Sequence, residues 1–584
     1  MNTPKTRLAL LGIAFGVLLA LLVAPQTRWL VRLSFTALSV QPGRDGPQRQ
    51  RIVEAHPNDF QIQLAGRTEG DTRTPLEYNR ALVPRFPKSA SLRAAILREA
   101  TTNEVRLHRN EDNLLEGTPV VPFQPGPDNP VSSPTQLAAF EADAAAGEKL
   151  DPKNAYFPFM RAVGLFASHR DAEGVAAIER ASTKPIWHEY FEDGVEGGWR
   201  INDAIYGGRE VLSAVAISAA VLFPHYEQLR HAARVVVYKA VLNEQAGQFE
   251  PGLAKRLALA KCGRLMQVQA TTIIGSLVGS AISATARSRP GGIPASILDK
   301  HLTGDQRQQI RLDAYCAYVT KIGHPEAAMQ ARADNQAWQQ AHQVTSKVDT
   351  YVFGTTMSKL IHTGIAFFTC VALLPNILAV FLVGLIAAGL GRRPSLRERR
   401  PLPAGAATGF WLAMLIGLLL TGLVVKRGME HETRYAVRHI ALAFGIPLAI
   451  TGLLARFIPR LRPQIVAGLV AAGATLAVAT VFGVASSWQA VGLAWLGFCF
   501  VLPVLMTLVW GIAALVKRIP FSVKAVEGFR AAMPPLVCAL MLIYSGLVLW
   551  TVQQEARANY GLERSLHGEG QYLAQITGQT WPRE

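Results

Sequence analysis

Long apolar runs fill the C-terminal part of the chain: Ile361–Leu390, Ala406–Val425, His439–Ala455, Ile465–Val484, Val491–Val516 and Ala531–Trp550. Each meets or approaches the roughly 20 apolar residues a helix needs to cross a bilayer. None holds Asp, Glu, Lys or Arg in its interior, where a charge costs about 2.5–3.5 kcal/mol on insertion. A buried helix of a globular core is also apolar all round, yet six in succession, with charges confined to the joints, predict a lipid-facing bundle. His439–Ala455 is the shortest run and contains Pro447. A seventh run, Leu8–Ala24, follows Lys5 and Arg7. Its length and its poor Leu-Val-Ala-Pro-Gln cleavage site favour an uncleaved signal-anchor over a removed signal peptide.

Loop charges set the expected orientation. Arg392, Arg393, Arg397, Arg399 and Arg400 follow the first of the six runs. Arg456, Arg460 and Arg462, then Lys517, Arg518, Lys524 and Arg530, occupy the loops of the same side. The alternate loops hold only Lys426, Arg427, Arg434 and Arg438. Positive residues favour the cytoplasmic side, so the Arg392–Arg400 loop is expected inside, with Pro25–Lys359 and the C-terminal tail outside. The implied location is the plasma (inner) membrane.

Before the bundle, the pattern changes to short amphipathic helices. His56-Pro57-Asn58-Asp59, Phe86-Pro87-Lys88-Ser89 and Asp151-Pro152-Lys153-Asn154 each place a proline and a small polar residue ahead of an apolar-periodic run. Proline suits the first turn of a helix and a small polar side chain caps its free N–H groups. The spacing from Pro57 to Pro87 is 30 residues and from Pro152 to Pro185 it is 33, the period of stacked helical hairpins. On these residues, and best over Asp151–Ser182, the chain resembles the tetratricopeptide repeat family. The resemblance implies that Ala162 and Leu165 pack in a first helix and Gly174, Ile178 and Ala181 in a second. Pro158 replaces the family's aromatic start and His169 its usual glycine between helices, and the proline-rich Gly117–Pro134 interrupts the register. The resemblance reaches at most from Arg51 to Pro185, and it implies a partner-binding surface rather than a reaction.

Further on, Trp187-His188-Glu189-Tyr190-Phe191-Glu192-Asp193 precedes a stretch that reads as glycine-rich turns, Gly194–Arg209. His188 and Glu192, at i and i+4, fit one face of a helix and a metal, but equally a solvated helix end; no second His or Cys lies at ligand spacing. Val211–Phe223 and Leu265–Ala286 are uncharged, and they read as buried helices more readily than as spans, since the second is rich in Ser, Thr and Gly. Helices are expected to start near Thr303-Gly304-Asp305 and at Pro325, the latter running towards Lys359 and the span at Ile361.

The net charge of +17 over 584 residues lies largely in the predicted cytoplasmic loops, so headgroup contact explains it better than nucleic acid does. Of five cysteines, Cys370, Cys499 and Cys538 fall in predicted spans. An outer location would permit one disulfide between Cys262 and Cys316. Candidate chemistry in the bundle is thin: His362 at a membrane edge, Asn376 beside Pro375, Ser545 near Tyr544, and helix-breaking Pro447, Pro503 and Pro534. The outer loop Glu430-His431-Glu432 with His439 lacks a third convergent ligand, and no nucleotide-binding, hydrolase or metalloprotease motif stands in a fitting context.

The expected fold class is all-α: a multi-pass helical membrane bundle, one N-terminal plus six C-terminal spans, with a helical-repeat-like soluble domain. Its parts are a signal-anchor over 1–26, a repeat-like region over 27–194 and a second helical region over 195–358. A six-helix bundle over 359–552 and a tail over 553–584 complete it. No catalytic, cofactor or metal residue is expected. The lipid bilayer and a protein partner for the helical domain are the expected partners. The expected function is protein binding, scaffolding or sensing. A transporter or channel for a neutral or lipid-like substrate is the alternative, and an outer-face enzyme using His431 and His439 a third.

Overall fold

The computed structural model describes residues 4–36, 45–68, 70–107, 109, 132–209, 211–219, 223–290, 303–348, 370, 374, 377–378, 381, 520–578 and 580–581. Among them the chain is all-α, with eighteen helices and no strand. The first six are α1 (Pro4–Val23), α2 (Pro25–Thr36), α3 (Asp45–Ala55), α4 (Phe60–Leu64), α5 (Pro75–Leu82) and α6 (Ala90–Asn103). Next come α7 (Pro134–Leu150), α8 (Tyr156–Ala167), α9 (Asp171–Ser182), α10 (Phe191–Tyr206), α11 (Val211–Ala219) and α12 (His225–Gln245). The last six are α13 (Phe249–Gln269), α14 (Ile273–Ala286), α15 (Gly304–Lys321), α16 (Pro325–Val348), α17 (Pro520–Leu566) and α18 (Glu569–Thr577).

The chain divides into two compact units. The first comprises Met1–Pro42, Tyr206–Gly208 and Gly354–Arg557. In it Ala14, Leu18 and Leu21 of α1 pack with Cys370, Leu374 and Ile377 and with Val537, Met541, Tyr544 and Val548 of α17. The opposite faces leave Leu8, Ile13, Phe15, Leu19 and Val23 of α1, and Leu542, Leu549 and Trp550 of α17, exposed. Trp29, Leu30 and Val31 of α2 are buried in the same cluster, while Arg28 and Arg32 stay exposed. Among the described residues no single helix is long and apolar enough to cross a membrane; α1 and α2 reach that length and composition only as a pair bent by 105°. Of the six predicted runs, Ala531–Trp550 falls inside α17 and Ile361–Leu390 is described at five positions. The other four, with Cys499, His431 and His439, lie outside the described residues.

The second unit comprises Gly43–Ile205, Arg209–Phe353 and Ala558–Glu584. Successive helices α5 to α9 pack each on the next, α9 and α12 pack on α13, α13 on α14, and α15 on α16. The three proline motifs do precede helices, but in each the proline occupies the turn before the cap rather than the first helical turn. Asp59 accepts from the Ile62 amide at 3.2 Å, Ser89 from that of Leu92 at 3.1 Å, and Asn154 from that of Tyr156 at 3.1 Å. Thr303 caps α15 in a box with Gln306.

The α7–α8–α9 stack is held by rings set into glycines. A Cβ at Gly147 would stand 2.2 Å from the Phe157 ring, one at Gly164 2.9 Å from Phe140 and one at Gly174 2.5 Å from Phe166. Ala162, Leu165, Ile178 and Ala181 are all buried in this core. His169 turns the chain between α8 and α9 with φ 57°, a left-handed conformation that favours glycine.

One expectation is corrected. Leu265–Ala286 is not one helix: the chain breaks at Ala270–Thr272, where Thr272 caps α14 by accepting from the Gly275 amide at 3.0 Å. The remaining 14 residues of α14 extend about 21 Å, short of a 30 Å hydrocarbon core. They fold back on α13 so closely that a Cβ at Gly279 would stand 2.4 Å from the Gln267 nitrogen. Cys262 and Cys316 are free and buried in separate clusters. Their thiols point to the carbonyls of Ile178 at 3.7 Å and Ala328 at 3.6 Å, so no disulfide joins them. The expected tail, 553–584, makes packing contacts of its own. Leu566 packs with Phe191, Val195, Trp199 and Ala214, Leu573 and Ala574 pack with Val344, and Glu569 accepts from the Ile273 amide at 2.9 Å.

The deepest polar contact joins α12 to α13. Arg256 is fully buried and uses all five N–H donors. Two go to the Glu244 carboxylate at 2.5 and 3.0 Å. Three go to the carbonyls of Ala286, Ser288 and Arg289 at 2.8, 2.6 and 3.0 Å. The guanidinium thereby satisfies the last carbonyl of α14 and two of the turn that follows it.

Candidate binding groove

The first part of the segment singled out in the sequence, Trp187–Tyr190, is a strap that crosses the α7–α8 turn, and Phe191 begins α10. The Ala155 amide donates to the Ile186 carbonyl at 2.7 Å, and the Ile186 amide to that of Lys153 at 3.2 Å. In extended backbone alternate side chains face opposite ways, and here Trp187 and Glu189 point inward and are buried, as is Phe191 at the start of α10. Glu189 accepts from Trp187 Nε1 at 2.8 Å, Tyr226 OH at 2.9 Å and His225 Nε2 at 3.1 Å. Burial pushes its pKa up, but these donors outweigh that and hold it below the usual carboxylate range. Burial pushes His225 down against the pull of Glu189, so near neutrality the pair is an anionic carboxylate and a neutral imidazole. The Arg98 guanidinium, which donates to the Glu189 carbonyl, supplies the compensating charge. Among the described residues Glu189 and His225 are buried, so the cluster braces the strap against α12.

His188 and Glu192 do meet, His188 Nε2 against Glu192 Oε1, but across the junction of strap and α10. Burial lowers the His188 pKa, while the bond to Glu192 and the charges of Glu192, Asp193 and Asp151 more than offset this and leave it raised. Among the described residues no group of three His, Cys, Asp or Glu could hold a metal. Tyr190 follows Glu189 with φ 57°, and its hydroxyl donates to Asp151 at 2.6 Å.

The stretch expected to form glycine-rich turns is instead helix α10. Its glycines allow close packing: a Cβ at Gly197 would stand 1.9 Å from the Gln61 carbonyl oxygen. With the chain's last helices, α10 builds the wide opening of this unit, a groove of about 1430 Å³. Glu196, Trp199 and Arg200 of α10, with Arg209, line one side. Tyr560, Glu563 and Arg564 of α17 and His567 just past its end face them, and Gln340 of α16 adds to the lining. Tyr572 and Gln575 of α18, with Trp581 beyond it, complete the groove.

The groove is braced by its own charges. Arg209 lies over the Trp199 ring at 4.7 Å, pairs with Asp203 at 3.0 Å and Glu563 at 2.6 Å, and accepts from Asn559 Nδ2 through its carbonyl at 3.0 Å. Glu196 accepts from Gln61 at 2.6 Å and meets His567 at 2.9 Å. Arg200 pairs with Asp59, while Trp199 Nε1 donates to the Ala214 carbonyl at 2.9 Å. Aromatic and arginine side chains, rigid and amphipathic, are those that carry protein interfaces.

Sequence reasoning missed the groove because its walls lie some 350 residues apart in the chain, as between Arg209 and Asn559. The aromatic spacing of Tyr560, Tyr572 and Trp581 was its one local signal. Arg392, Arg393, Arg397, Arg399 and Arg400, expected to set the topology, lie outside the described residues, as do His362 and Asn376. Ser545 only donates to the Leu542 carbonyl of its own helix at 2.7 Å. No family model, curated protein or solved structure matches the chain.

Proposed function

We propose that the chain is a multi-pass protein of the plasma membrane whose helical second unit binds a protein partner on the outer side, without catalysis. The groove carries the binding half of this reading: it is large, rich in Trp, Tyr and Arg, and braced by ion pairs rather than left to collapse. The burial of Ala162, Leu165, Gly174, Ile178 and Ala181 in the α8–α9 hairpin is in keeping with a tetratricopeptide-like stack, a common scaffold for such surfaces.

Two observations support the membrane half. Helices α1 and α17 bury one face and expose large apolar side chains on the other, as lipid contact requires and water penalises. Gly43–Ile205, Arg209–Phe353 and Ala558–Glu584 belong to one compact body. A chain that leaves that body and returns to it crosses a bilayer an even number of times between. The six apolar runs meet this condition, and five or seven would not. The loop charges then assign the body to the outer face.

Photo-crosslinking in cells tests the proposal. A photoreactive residue at Gln571 or Gln575, on the groove, is expected to form a discrete protein adduct. The same residue at Thr72, outside the groove lining, is expected to form none. Equal labelling at all three positions, or none at any, would overturn it.

A further inference from the structure

We infer that the groove takes an extended peptide segment bearing a carboxylate, which pairs with Arg564 while neighbouring apolar side chains lie on Tyr560 and Trp581. The inference rests on the protein-binding reading above and specifies what that surface recognises.

Size comes first. A groove of about 1430 Å³ exceeds the roughly 300–1,000 Å³ of small-molecule sites and suits several residues of chain. Charge comes second. Both acids of the groove are engaged, Glu563 by Arg209 and Glu196 by Gln61 and His567. Arg200 and Arg209 are engaged as well. Arg564 differs: it is exposed, and its contacts are the Tyr560 hydroxyl at 3.5 Å and the Tyr560 ring at 5.8 Å. Among the described residues it has no carboxylate partner. Its planar fork matches a carboxylate by two parallel hydrogen bonds, and the aromatic surface beside it would shield that pair from water.

A nucleic acid fits less well. Its phosphates recur every few ångströms, and those next to the one on Arg564 would meet Glu563 or Glu196. An anionic lipid headgroup offers the charge but not the length to fill the groove.

The full chain in detergent, panned against displayed random twelve-residue peptides, supplies the test. Selected peptides are expected to share an Asp or Glu beside an aromatic or branched apolar residue. A synthetic copy should lose at least tenfold in affinity with Arg564→Ala. Panning on Arg564→Glu should select Lys or Arg at the matching position. Arg564 is exposed, so unchanged thermal unfolding of both variants is expected. Tyr560→Ala gives a second reading, a weaker affinity with the acidic preference kept.

Failure to enrich any peptide, or peptides indifferent to both Arg564 variants, would overturn the inference. So would displacement of the peptide by an oligonucleotide or by vesicles of anionic lipid more readily than by a competing acidic peptide. The crosslinking experiment fails separately: an adduct at Gln571 alongside peptides indifferent to Arg564 would sink the carboxylate pairing and leave the protein-binding reading standing.

Discussion

Arg256→Met is the sharpest test of how the second unit is held together. The side chain is fully buried, and its five hydrogen bonds join Glu244 of α12 to carbonyls at and just past the end of α14. Methionine conserves much of the volume but strands the Glu244 carboxylate and three carbonyls. Breaking a buried pair on one side costs about 3–5 kcal/mol, because the surviving charge is left uncompensated. Glu244→Met should cost towards the lower end of that range, since the three carbonyls still hold the guanidinium. The double variant strands no charge, so it should lose less than the sum of the two by at least about 1 kcal/mol. Hydrogen exchange of amides in α12–α14, followed in the full chain, reads these losses as local opening free energies. Additivity within about 0.5 kcal/mol, or a single-variant loss under about 1 kcal/mol, would refute the pair as the clamp of this region.

Gly174→Ala sets two effects against each other: alanine is the better helix former by about 1 kcal/mol, but its Cβ would stand 2.5 Å from the Phe166 ring. We expect a net loss of about 1–3 kcal/mol by thermal or denaturant unfolding, and a gain would contradict the packing. His324 bridges Glu250 and Glu326 at 2.8 Å each, and these bonds, Glu250 first, raise its pKa above the ordinary 6.5. The stability it contributes is full below about pH 6.5 and fades as pH climbs through the raised value. Parent and His324→Gln should therefore differ in unfolding midpoint at low pH and converge at high pH, and a constant gap would contradict the bridge. Burial pushes the Cys262 thiol up to about 12. Cys262 and Cys316 should resist maleimide until the chain unfolds, and a peptide linking them by a disulfide in mass spectrometry would show the opposite.

What the sequence revealed was local. The Ser89 and Asp59 caps, and the Asn154 side chain that accepts from the Tyr156 amide, sit two residues after their prolines, and the apolar period of Tyr156–Ser182 marks the two helices that bury Ala162 and Ile178. What it hid was tertiary. His188 and Glu192 looked like a helical pair, but only Glu192 lies in a helix, and the deeper acid is Glu189, whose partners His225 and Tyr226 come from α12. Gly197 of α10 read as part of a turn because its reason, the close approach of the Gln61 carbonyl, lies more than a hundred residues away. The groove escaped notice for the same reason: Trp199 and Arg209 acquire meaning only when Tyr560 and Arg564 fold beside them.

The central claim is that residues before and after the predicted bundle form one body on the outer face of a membrane. Cysteines placed at Thr72, Gln571 and Arg400, probed with an impermeant maleimide in intact cells, test it most directly. Thr72→Cys and Gln571→Cys should label from outside, and Arg400→Cys only after permeabilisation. Labelling of Thr72→Cys and Gln571→Cys from opposite sides, or of Arg400→Cys together with both, would contradict the account.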